Sequence, residues 1–91
     1  MKFVITWSIL PGAFDATIKK FLETGAPPPA GVKLLGRYHA FNGGGIGFII
    51  AESPDLGGIS RWLADWMELC SFQIVPVMED AEAAAILSGR K

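Results

Sequence analysis

Four clusters of glycine and proline punctuate this chain: Pro11-Gly12, Gly25 to Gly31 with three consecutive prolines, Asn42-Gly43-Gly44-Gly45, and Ser53-Pro54. Neither residue type sits comfortably inside a helix or a central strand, so these clusters mark where regular structure must stop. Residues 2–9 are rich in β-branched and aromatic types and end at Pro11-Gly12, which reads as a first strand. From Ala13 to Thr24 the period changes. Phe14, Ile18, Phe21 and Leu22 recur at i, i+4, i+7 and i+8, one stripe of a helix that Gly25 can close in the left-handed conformation. Residues 26–31, with Pro27-Pro28-Pro29, form a stiff extended connector.

Val32 to Phe41 and Ile46 to Glu52 are two strand-like runs around Asn42-Gly43-Gly44-Gly45, a hairpin signal because the central residues need positive φ. A phosphate-binding loop is disfavoured there, since a strand and not a helix follows. Ser53-Pro54-Asp55 then opens a helix with a capping hydroxyl, a proline in the first turn and an acid near the positive end. Its apolar stripe runs through Ile59, Trp62, Leu63, Trp66, Met67 and Cys70. Phe72 to Met78 is a fourth strand, restricted by Pro76 to a sheet edge or a bulge. Glu79-Asp80 starts a short alanine-rich helix ending near Ser88. Alone it would be marginal in water, so it is expected to dock on its own or a partner subunit. The order β-α-β-β-α-β plus a terminal helix is that of the ferredoxin-like plait, an α+β fold, in one domain over residues 1–91.

Composition narrows the function classes. Eight basic against nine acidic residues give a formal charge of −1, with no basic surplus to neutralise a phosphate backbone. The third-strand segment Gly45 to Ala51 faintly resembles an RNA-recognition motif. It lacks the leading basic residue and the paired aromatics, so an RNA-binding module is the remotest reading and no nucleic-acid partner is expected. One cysteine and one histidine exclude an internal disulfide and most metal-site patterns, and nothing in the motif set calls for a cofactor. The apolar start carries Thr6, Trp7 and Ser8 and no cleavage pattern, and no run is long enough to span a bilayer. A cytoplasmic protein with no membrane partner is the expectation. At 9.8 kDa a compact monomer would expose roughly 5,200 Å² of surface.

A hairpin loop of two or four residues would pair Phe41 with Ile46, His39 with Phe48, Arg37 with Ile50 and Leu35 with Glu52. One face then carries Arg37, His39, Phe41, Ile46, Phe48, Ile50 and Glu52. The opposite face, with Leu34, Gly36, Tyr38, Ala40, Gly47, Ile49 and Ala51, holds small residues that suit close packing of helices. The first face is thus expected to point away from the helices, too apolar to stay in water, and to be covered by a second copy in a twofold homodimer. A three-residue loop would change this register.

Several segments resemble a known family, domain of unknown function 3303. They are Lys2-Phe3-Val4-Ile5-Thr6-Trp7, Phe21 to Pro29, Gly31 to His39, Trp62-Leu63-Ala64-Asp65-Trp66 and Val75-Pro76-Val77. The resemblance covers nearly the whole chain. It implies a ferredoxin-like fold of the dimeric α/β-barrel group, whose other members include cofactor-free monooxygenases, muconolactone-type isomerases and haem-binding chlorite-degrading enzymes. It implies no particular activity. Where the family usually carries Trp before its histidine, this chain has Tyr38, which the register above turns toward the helices.

His39 is the only imidazole and so the candidate for acid–base chemistry near neutral pH. With Arg37 and Glu52 on the same expected face, it forms a polar trio able to orient a small anionic or carbonyl ligand in a sheet-lined cavity. Trp7 either lines that cavity or joins Phe3 and Ile5 in the core. The competing reading is a structural or interaction homodimer with no ligand site, in which Arg37 and Glu52 pair across the dimer seam. Trp62 and Trp66 read as core, and Cys70 as a buried, unreactive thiol.

Overall fold

The computed structural model describes residues 1–90. Its elements run β1 (Lys2–Ile9), α1 (Phe14–Thr24), β2 (Lys33–His39), β3 (Ile46–Glu52), α2 (Leu56–Ala64), β4 (Cys70–Val77) and α3 (Asp80–Ser88). The four strands form one antiparallel sheet in the order β2-β3-β1-β4, the ferredoxin-like arrangement expected from the element order. Pro76 sits on β4, an edge strand, where its missing N–H costs no ladder bond on the outer side.

The core is one-sided. Phe3 and Ile5 from β1, and Ile49 and Ala51 from β3, are buried against Ile59, Trp62 and Leu63 of α2 and against Val32. α2 approaches closely because Gly58 has no side chain; a Cβ there would meet the Val32 methyl at 2.9 Å. The residue that caps α2 is Asp55 and not Ser53. The Asp55 carboxylate accepts from the Gly58 N–H at 3.2 Å, while the Ser53 hydroxyl donates to the Asp55 carbonyl at 2.7 Å and fixes the entry turn. α2 ends at Ala64, so the stripe does not continue as one helix. Trp66 lies in the following turn, Met67 is exposed, and Cys70 opens β4. Among the described residues, no helix is long and apolar enough to cross a membrane.

The β2–β3 hairpin corrects the expected faces. The Ala40 N–H donates to the Ile46 carbonyl, which leaves a five-residue loop, and Arg37 pairs with Ile49, Tyr38 with Phe48 and His39 with Gly47. An odd loop shifts the register by one residue, and in a strand one residue exchanges the faces. The loop is held by Gly43 and Gly45 at positive φ and by Asn42 Oδ1, which accepts from the Gly44 N–H at 2.9 Å. A bulge between Leu34 and Gly36 then restores parity further along, so Leu34 still faces Ala51. Arg37 and His39 therefore face the helices, and Tyr38 lies on the open face, stacked on Phe48 at 5.0 Å.

α1 and α3 depart from simple packing. In α1 only Thr17 is buried; Phe14, Ile18 and Leu22 stay exposed, so this helix stands over the sheet without filling the space beneath it. No residue of α3 is buried and only Ala83 is half-buried, so its own chain covers little of it.

Candidate functional site

Between α1 and the sheet lies a cavity of about 390 Å³, within the range of small-molecule sites. Its floor is the helix-facing side of the sheet, with Trp7 of β1, Ile49 of β3 and Phe72 of β4. Its walls are Phe21 of α1, Trp62 of α2 and Trp66. All three tryptophans of the chain line it. Trp62, read from sequence as core, is core and cavity wall at once, while Trp66, read the same way, is a half-buried part of the wall.

Gly47 makes the floor possible. It pairs with Trp7 on one side and His39 on the other, and a Cβ at this position would overlap both the Trp7 ring and the Tyr38 carbonyl oxygen. Without that side chain the Trp7 indole reaches across β3 and meets the His39 ring edge-on, with centroids 5.2 Å apart. Phe21 approaches the same imidazole from α1, also at 5.2 Å. His39 is exposed at the mouth of the cavity, held by two aromatic rings.

Arg37 is the charged group of this wall. Its two terminal nitrogens donate to the carbonyl oxygens of Gly25 and Ala26, at 3.0 and 2.8 Å, just past the C-terminal end of α1. A cation suits that end of a helix, where carbonyls lack partners and the dipole is negative. The guanidinium also lies 5.4 Å from the Phe21 ring centroid and 5.8 Å from that of Trp62. Burial pushes its pKa down from the usual value, and no carboxylate among the described residues forms an ion pair with it. Its Nε atom is buried without a hydrogen-bond partner. Such a group carries a desolvation cost.

Three of the four expected site residues, Trp7, Arg37 and His39, therefore come together, on the helix side of the sheet and not on its open face. Glu52 does not join them. It lies on the open face between Lys2 and Lys33 in the strand register, on the other side of the sheet from Arg37. The expected Arg37–Glu52 relation fails for the same reason as the face assignment, the odd loop and the bulge. Cys70 closes the far end of the cavity. It is buried, and burial pushes its thiol pKa up, against weaker opposing effects of Thr17 and Lys20. A protonated, enclosed thiol is a poor nucleophile.

α1 is tied down at its far side by Lys20, whose ammonium donates to the Asp65 carbonyl and sits 4.7 Å from the Trp66 ring centroid. Two contacts thus hold the C-terminal half of α1, one from Arg37 and one from Lys20. No curated protein and no solved structure matches the chain. The model of one family, Domain of unknown function (DUF3303), matches residues 1–91, and the chain belongs to that family.

Proposed function

We propose that the protein is a homodimer that binds a small aromatic ligand bearing a carboxylate or carbonyl oxygen in the cavity beneath α1. One observation carries the reading: the Arg37 guanidinium, paired with no carboxylate among the described residues, in the wall of a cavity lined by aromatic side chains. Flat apolar walls suit a ring system. An uncompensated cation suits an acceptor oxygen, and a charge-assisted hydrogen bond contributes about 1.5–3 kcal/mol. One N–H of each terminal nitrogen is committed to Gly25 or Ala26, and the second N–H of each remains for a ligand oxygen. His39 at the mouth is in position to meet a second polar group or to move a proton.

The homodimer rests on the open face. Tyr38, Ile46, Phe48, Val75 and Val77 are all exposed there without cover from their own chain, and a patch of this kind on a small domain marks an association surface.

Calorimetric titration with 2-naphthoate and with naphthalene tests the ligand reading. The wild type is expected to bind 2-naphthoate at one molecule per chain. Arg37→Met should weaken 2-naphthoate at least tenfold more than naphthalene, whose loss reports only the loosening of α1. Equal losses for both compounds, or no saturable binding of 2-naphthoate, would refute the assignment.

A further inference from the structure

The molecule is not as closed as its size allows. It exposes 6253 Å², about 1,000 Å² more than a compact chain of its mass. Its radius of gyration is 15.2 Å, with extents of 51 × 30 × 18 Å, against about 12 Å for a compact domain of this length. That surplus is close to the roughly 800 Å² that each partner contributes to a stable interface.

α3 accounts for part of it. None of its nine residues is buried, and Ile86 and Leu87 are each 59% exposed. Its run Ala83-Ala84-Ala85-Ile86-Leu87 is apolar on every side, the pattern of a helix enclosed by protein. A helix of nine residues is too short to hold itself in water. Its N-cap, Glu79, is moored by an ion pair to Lys2 at the end of the sheet. Beyond that anchor only Ala83 of the helix is half-buried.

We infer that α3 is an exchanged arm: in the dimer it packs against the second copy of the chain, not against its own. The inference rests on the homodimer proposed above and adds which element crosses between the copies. A second copy is the occupant that the area favours, because it covers the open sheet face and the arm together and returns the surface to that of a compact protein.

A photoactivatable benzophenone maleimide attached to Leu87→Cys tests this in the full chain, since Cys70 is buried and labels poorly; the same label on Leu87→Cys, Cys70→Ser controls for that thiol. Light scattering is expected to give a dimer. Irradiation is expected to give a denaturing-gel band of twice the chain mass, with adduct peptides from the partner. Ile86→Asp should shift the dimer toward monomer. A dimer whose adducts are all within one chain, or which gives no adduct, overturns the exchanged arm and leaves the sheet pairing standing. A monomer of the labelled and unlabelled chain alike overturns both.

Discussion

A methyl group added at Gly47 would fall on the Tyr38 carbonyl oxygen and on the Trp7 ring, and neither can yield without disturbing a strand or the cavity floor. Gly47→Ala is therefore expected to cost about 1–3 kcal/mol, the range for overpacking a tight site, and to weaken 2-naphthoate binding by displacing Trp7. Urea denaturation and titration of the same sample check both effects. Unchanged stability would show that the Trp7 ring is not held against β3. At this scale the sequence singles out Trp7, Arg37 and His39, because one imidazole and one arginine within an apolar strand are conspicuous. It does not place Arg37 and His39 on the correct side of the sheet, and it leaves the side of Trp7 open. The side of Arg37 and His39 is fixed by the count of loop residues and by the bulge at Leu34/Gly36, and neither follows from the composition of the strand itself. The role of Gly47 is also hidden in sequence, since a glycine followed by apolar residues reads as ordinary packing space.

α1 shows what an element-level pattern can and cannot say. Its periodic stripe announces a helix, and Gly25 takes the left-handed conformation expected of its C-terminal cap, with φ 72°. The same stripe gives no sign that the helix stands over a cavity, because a residue facing a void and a residue facing core obey the same spacing. Gly25 works through conformation alone, as no atom lies within 4 Å of where its Cβ would be. Gly25→Ala should then cost about 1 kcal/mol, and because Arg37 donates to the Gly25 carbonyl, it should also loosen that contact. Thermal unfolding followed by circular dichroism reads the first effect as a lower melting temperature. An unaltered melting temperature would mean that the helix end contributes little to holding α1 over the sheet. The second helix was legible as a helix and misread at its ends. The capping group is the Asp55 carboxylate, and the stripe beyond Ala64 belongs to a turn and to β4.

On the scale of the whole molecule, the order of elements was written in the glycine and proline clusters, and the sheet order β2-β3-β1-β4 follows from it. The two layers it produces leave one sheet face and one helix without cover, and they leave a cavity between α1 and the sheet that the protein's own side chains do not fill. Bulk charge said little about either feature. A net charge of −1 is compatible with one half-buried arginine that no carboxylate among the described residues pairs with. The account centres on that cavity, and because Trp7, Trp62 and Trp66 all line it, the three indole N–H signals of a ¹⁵N-labelled sample report on it directly. Titration with 2-naphthoate, followed by two-dimensional NMR, is predicted to shift all three indole signals on one saturable curve while Val4, Ile50 and Val75 on the open face stay in place. Stationary indole signals, or shifts confined to the open face, would contradict the account.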